Sequence, residues 1–216
     1  MPGRGRFITL EGIEGAGKST AMGVIQACLE QAGHTVVKTR EPGGTALGES
    51  VRHLLLQPSE QAMSPKTEAL LMFAARAEHL DKVIEPALQR GDWVLCDRFT
   101  DASYAYQGAG RQLGSEAISI LEHWVQGSMR PDLTVLLDLP PDTGLDRAAG
   151  RGQPADRFES ENAVFFQRIR QAYLDRVQAE PTRYRCIDAA QPLEEVRHAL
   201  QETMQQWIGQ QAKSRQ

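Results

Sequence analysis

The 216-residue chain predicts an α/β fold, a parallel β-sheet covered by helices on both faces. Two observations predict it. Short, almost continuously apolar runs alternate with longer stretches of helical periodicity, and a glycine-rich turn joins the first run to the first helix. Strands that are apolar on both faces must be covered on both. Strand–helix alternation supplies that cover through crossover connections.

The five runs are FITLE (7–11), TVVKT (35–39), WVLCD (93–97), LTVLLDL (133–139) and YRCID (184–188). Between the first two, Ala21, Ile25, Cys28, Leu29 and Ala32 mark one face of a helix that Gly33 ends. Between the second and third, Leu70, Phe73, Ala74, Ala77, Ile84 and Leu88 mark another, and Pro86 must kink it or begin a new helix. Ile118, Leu121 and Val125 place the next helix. Phe165, Ile169 and Tyr173 place a further one, and Leu193, Val196, Leu200 and Trp207 the last. No internal repeat interrupts this order, so one domain over residues 1–216 is expected, with ligands at the carboxyl ends of the strands.

Bulk properties narrow the function. Residues are 41% hydrophobic and 24% charged, ordinary values for a globular chain, and the net charge of −4 gives no global attraction for nucleic acid. Cys28, Cys96 and Cys186 form no C-x-x-C pair and lie in apolar contexts, which predicts buried free thiols in a reducing compartment. The N-terminal segment is too short in apolar residues for a signal-peptide core, and no run suits a membrane span. The expectation is a soluble cytoplasmic protein with neither nucleic-acid nor membrane partners.

The first turn carries the chemistry. Gly12-Ile13-Glu14-Gly15-Ala16-Gly17-Lys18-Ser19, followed by Thr20, matches G-x-x-x-x-G-K-[ST] at every fixed position, after a strand and before an amphipathic helix. Glycines let successive N–H groups turn inward around an anion at a helix N-terminus. Lys18 adds a point charge for the β- and γ-phosphates, and the Ser19 hydroxyl is placed for Mg²⁺. The sequence therefore predicts a three-layer P-loop NTPase fold that binds a nucleoside triphosphate. A guanine-nucleotide switch is excluded, because N-K-x-D cannot occur: the only asparagine, Asn162, precedes Ala163. A small kinase, which must also hold an acceptor, fits better than a regulatory nucleotide-binding module.

The third run ends in Asp97-Arg98. Asp97 falls where the second carboxylate of such a site belongs, near Mg²⁺ and its waters, and the Arg98 guanidinium offers a planar fork for an acceptor phosphate. At this point four segments, EGIEGAGKST (11–20), TREPGGT (39–45), DRF with SYAYQG (97–108) and RAAGRGQPADRFE (147–159), resemble the bacterial thymidylate kinases in order and spacing. The resemblance runs from Phe7 to about Trp207. It implies transfer of the γ-phosphoryl group of ATP to dTMP with Mg²⁺, giving dTDP, by a homodimer. The chief alternative is a kinase for another nucleoside monophosphate.

The resemblance also implies roles. Glu14 accepts from the sugar 3′-hydroxyl, and Tyr106 crowds the 2′ position, unless it is simply a packed ring. Pro42 packs on the sugar, with Glu41, Gly43 and Gly44 shaping the bend. Arg76 reaches thymine O4, and an aromatic ring one turn earlier stacks on the base. That position holds Met72 with Phe73 beside it, so either Met72 touches the ring or Phe73 swings in, or Phe73 is core. Ser103 and Gln107, four apart, can share a helical face toward the pyrimidine edge. Arg52 is either a second ligand of the acceptor phosphate or a surface residue. Arg147, Arg151 and Arg157 lie in a segment with Gly150, Gly152 and Pro154, read as a small mobile lid at about 147–159. With Gly15 and Ala16 in the loop where some relatives carry arginine, the lid is the expected source of the transition-state cation.

Overall fold

A computed structural model of the chain describes residues 3–57, 61–150 and 157–213. Within them, β1 (Phe7–Glu11), β2 (Val36–Arg40), β3 (Trp93–Asp97), β4 (Leu133–Asp138) and β5 (Tyr184–Asp188) form one parallel sheet in the order β2-β3-β1-β4-β5. The strand that feeds the glycine loop is thus central. Every residue of β1 is buried, and β3 and β4 flank it with only their terminal aspartates partly open.

The period-two alternation of a strand divides the core between the two faces. Phe7, Val94 and Cys96 pack with Leu80, Ile84, Leu88 and Phe99 on one side. Ile8, Leu10, Trp93 and Leu95 pack with Ile25, Leu29, Tyr173 and Trp207 on the other. The edges depart from expectation. β2 and β5 keep exposed positions, because an edge strand is covered less completely than a central one. For that reason Cys186 on β5 is exposed; Cys28, on a helix, is half-buried, and only Cys96 is buried as predicted.

The helices are α1 (Lys18–Gln31), α2 (Ala46–Leu56), α3 (Pro65–His79), α4 (Glu85–Arg90), α5 (Thr100–Ser103), α6 (Ser115–Gln126), α7 (Pro141–Ala149), α8 (Ala163–Ala179) and α9 (Leu193–Lys213). Sequence periodicity did not reveal α2 or α7. α2 depends on a cap, the Thr45 side chain accepting from Gly48 N–H. α7 is only nine residues long, too short to show a period. Arg147 consequently lies in the last turn of a helix and not in a loop, a correction to the expected start of the lid.

Of the two outcomes expected of Pro86, a kink or a new helix, the second holds, since α4 begins at Glu85 with Pro86 in its first turn. α3 runs through a π-helical segment, Leu80–Ile84, straight into α4. Glu85 N–H donates to Leu80 carbonyl, five residues back, and Pro86, which has no N–H, falls in the first turn of α4. A second π-helical segment, Tyr104–Gly110, extends α5. Asp101 anchors α5 from below, paired to Arg176 of α8 and to Arg183 before β5. None of the described helices is long and apolar enough to cross a membrane.

Candidate active site

The carboxyl ends of β1 and β3 set the site. After Glu11 the loop turns with positive φ at Gly12 (144°), Gly15 (73°) and Gly17 (86°), conformations that a side chain strongly disfavours. Gly15 also passes so close to α7 that a Cβ there would lie 2.1 Å from Gly144 carbonyl. Gly17 caps α1, and Lys18 is its first residue. The glycine turn thus leads directly into the N-terminus of α1, the arrangement that suits an anion.

Lys18 reaches back over this loop. Its Nζ donates to the carbonyls of Gly12 (3.0 Å) and Ile13 (2.9 Å). Burial, with the positive charge of Arg98 second, pushes its pKa down to about 8. An ammonium held in a site that favours its neutral form is poised to gain an anion.

On β3 the chain leaves Asp97 through Arg98, whose φ of 68° is unusual for a residue with a side chain. Two hydrogen bonds impose it: Arg98 N–H donates to Leu10 carbonyl (2.9 Å) and Phe99 N–H to Glu11 Oε1 (2.8 Å). Glu11 Oε2 accepts from the Tyr173 hydroxyl at 2.7 Å. Burial, then Asp101, pushes the Glu11 carboxyl up to about 8. This buried anchor was not among the expected site residues, since a glutamate ending an apolar strand carries no distinguishing mark.

The turn aims the Arg98 guanidinium at Glu14. Nη2 donates to Glu14 Oε1 at 2.8 Å, and the guanidinium lies over the Tyr106 ring, 4.7 Å from its centroid. The Tyr106 hydroxyl donates to both oxygens of Glu14, at 2.9 and 2.7 Å. Burial raises the phenol's pKa well above its ordinary value, which keeps it a donor. Glu14, Arg98 and Tyr106 are therefore one cluster. Tyr106 is a packed ring that also forms part of the cavity wall.

That cavity has a volume of about 500 Å³ and extends from Lys18 and Ser19 to Arg76, Ser103 and Gln107, with Glu41, Pro42 and Arg52 along one side. Arg52 is not a surface residue: its Nη1 donates to Pro42 carbonyl (3.2 Å) at the cavity wall. A second cleft, of about 460 Å³, shares Ser19, Arg40 and Asp97 with the first. Ser19 and Asp97 thus stand at the junction of two openings. Among the described residues the buried Asp97 Oδ1 has no hydrogen-bond partner, an arrangement that calls for a cation or water.

At the far end Arg76 is buried and almost wholly engaged. Nε donates to Glu41 Oε2 (2.7 Å), and Nη2 to Ser103 Oγ (3.0 Å) and Phe99 carbonyl (3.2 Å). Nη1 has no partner among the described residues. His79, also buried, approaches Glu41 Oε1 at 3.0 Å and Thr39 Oγ1 at 2.6 Å. Glu41 therefore does more than shape a bend, which was its expected part: it holds Arg76 from behind, next to the cis Glu41–Pro42 bond. Met72 lines the cavity. Phe73 is buried with Ala69 and Ile118 and supports the Arg76 guanidinium from the core, 4.5 Å from its ring centroid.

The three arginines assigned to the lid part company. Arg147 lines the cavity and donates to Ala189 carbonyl at 2.8 Å. Arg157 does not line it: Nε donates to Leu55 carbonyl (2.7 Å) and Nη1 to Glu68 Oε2 (2.6 Å), and the guanidinium covers Phe158. Its guanidinium is thus engaged with Leu55 and Glu68, away from the glycine loop. Arg151 lies outside the described residues. Sequence reasoning also missed Glu68, His79 and Arg111. A glutamate in the first turn of a helix reads as a complement to the helix dipole, and nothing local shows that Glu68 is buried.

The sequence profile described as Thymidylate kinase matches residues 10–200. The thymidylate kinase of Alkalilimnicola ehrlichii is 62% identical over 201 residues, 93% of either chain. That of Pseudomonas entomophila is 61% identical over 196 residues, 91% of this chain and 93% of its own. That of Pseudomonas savastanoi pv. phaseolicola is 58% identical over 204 residues, 94% and 97% of the two chains. With the match spanning nearly the whole sheet and every wall of the cavity, this chain belongs to the thymidylate kinase family.

Proposed function

We propose that the protein transfers the γ-phosphoryl group of ATP to dTMP, giving ADP and dTDP. The observation that carries this reading is the single cavity lined at once by the glycine loop with Lys18 and Ser19, by Arg98, and by Arg76, Ser103 and Gln107. The loop amides and Lys18 hold the triphosphate. Arg98, with Arg52, holds the acceptor phosphate so that its oxygen faces the γ-phosphorus, and no side chain need act as nucleophile. Arg76 and Gln107 read the base, Ser103 fixes Arg76, and Met72 and Pro42 pack on base and sugar. Tyr106 and Glu14 border the sugar, where Glu14 can exchange its bond to Arg98 for the 3′-hydroxyl.

Two anions must be brought together, so positioning and charge neutralisation provide most of the acceleration. Ser19 and the unpartnered Asp97 Oδ1 suit Mg²⁺, which takes few protein ligands and keeps its waters, and which would neutralise charge on the triphosphate. Among the described residues no cluster of three or more acidic, histidine or cysteine side chains offers a fuller metal cage. With Arg157 engaged elsewhere, Arg147 and Arg151 are the remaining sources of a cation for the transferring group. Residues 1–216 act as one domain in the cytoplasm. Ile120 and Trp124 on α6 and Leu70 on α3 expose apolar surface on two packed helices, which supports a homodimer joined through that face.

An acceptor panel tests the assignment. With ATP and Mg²⁺, ADP release should be fastest with dTMP and far slower with dCMP, dGMP or dAMP. Faster turnover with any of those three would overturn it.

The Lys18 amine yields a pH prediction. Bound phosphates raise its pKa above the free value of about 8, so above that pH binding takes up a proton. ATP affinity should be level up to about pH 8, then fall by up to about tenfold per unit as pH rises toward the bound pKa. ATP is already fully ionised there. Binding titrations between pH 7 and 10 check this, and Lys18→Arg, charged throughout, should flatten the curve. A curve of the same slope in that variant would assign the titration to Glu11.

A further inference from the structure

Glu68 is a fully buried carboxylate in the first turn of α3 that no part of the phosphoryl transfer uses. Its Oε1 accepts from Gln107 Nε2 at 2.7 Å. Its Oε2 accepts from Arg111 Nε at 3.0 Å and Arg157 Nη1 at 2.6 Å. Arg111 in turn pairs with Glu161. The carboxylate is thus fixed from three directions by groups far apart in sequence.

Such a carboxylate, flanked by two guanidinium groups, offers only lone pairs. The Gln107 amide must therefore turn its NH₂ toward Glu68 and leave its carbonyl oxygen for the cavity, whose wall Gln107 forms. Arg76 lines the same cavity, and its buried Nη1 has no partner among the described residues, so one donor is still to be satisfied there. A donor next to an acceptor matches the O4 and N3–H edge of thymine. Cytosine shows the opposite pattern there, an amino group and a bare ring nitrogen. A freely rotating glutamine would serve either base, because its amide can both donate and accept.

We propose that Glu68 is a positioning residue that sets base selectivity, by holding the Gln107 amide in the orientation that accepts from the acceptor's ring N–H. The inference rests on the base pocket described above between Arg76 and Gln107. It explains why a charged group is buried here at all: a neutral side chain in its place could not dictate which end of the amide it meets. It also gives Arg111 and Arg157 a common task, compensating that charge.

The test is calorimetric affinity for dTMP, dCMP and ATP, measured on the wild type, Glu68→Gln and Glu68→Asp, with thermal unfolding of each. The glutamine can donate or accept, so the Gln107 amide is freed to turn. The preference for dTMP over dCMP should narrow by about tenfold or more, with ATP affinity unchanged. Glu68→Asp keeps the charge but draws it back by one methylene; it retains the fold and should narrow the preference less. A merely structural Glu68 would lower the melting temperature and weaken both monophosphates in parallel, and an unchanged ratio in folded Glu68→Gln, or a ratio narrowed equally in both variants, overturns the proposal. Absence of any preference in the wild type would instead overturn the base pocket itself.

Discussion

Lys18→Ala should leave a folded protein whose kcat for dTMP phosphorylation is lower by on the order of 10³-fold or more, the range for removing a charge-stabilising donor from a preorganised site. The Lys18 amine lies above the loop it must serve, bonded among the described residues to the carbonyls of Gly12 and Ile13. Burial depresses its pKa to about 8, so the folded state gains nothing from carrying this charge. The sign follows from the direction of the shift. A lysine whose folded pKa lies below its unfolded value opposes folding while it is charged, and the opposition fades as pH rises through about 8. Its removal at pH 7 should hold the melting temperature within about 4 °C of wild type. Steady-state kinetics and a thermal melt check the two halves. Full turnover by the variant would remove the loop from the mechanism, and an unfolded variant would show that the amine is chiefly structural.

Arg98→Ala should lower kcat/KM for dTMP by on the order of 10³, through the loss of two or more charge-assisted bonds to the acceptor phosphate. It should also cost stability, unlike the lysine change. Arg98 and Glu14 are only 17% and 13% exposed, and taking one partner from a buried pair costs about 3 to 5 kcal/mol. Tyr106 loses the cation over its ring as well. Arg98→Lys separates the effects. It keeps the charge beside Glu14 and recovers much of the stability, yet a point charge cannot reproduce the planar fork, so kcat/KM should stay low. The backbone sharpens the expectation, since any residue at this position must accept the positive φ that Arg98 holds. A kcat/KM for Arg98→Ala within tenfold of wild type would move the acceptor phosphate to Arg52.

The central strands and the glycine loop were legible because their signals are local. Each of FITLE, WVLCD and YRCID has the bounds of the strand it forms, and G-x-x-x-x-G-K-S sets turn, helix start and anion site within eight residues. Helices α2 and α7 were not legible, the first resting on a cap and the second on nine residues. The site divides the same way. Lys18, Asp97 and Arg98 follow from motif and strand end, and Gln107 and Arg76 follow from residue chemistry joined to resemblance. The choice between Met72 and Phe73 waited on which face of α3 meets the cavity, because neighbours 100° apart on a helix have different surroundings.

What the amino-acid sequence alone determined is the nucleotide-binding loop, the parallel sheet and the kind of reaction, since these depend on residues close together along the chain. The tertiary structure alone decided which charged groups are buried and paired. Glu68 with Gln107, Arg111 and Arg157, Glu41 with Arg76 and His79, and Glu11 with Tyr173 are contacts between distant segments. A carboxylate's role depends on what desolvates and pairs it, and that environment exists only once the helices have packed on the sheet.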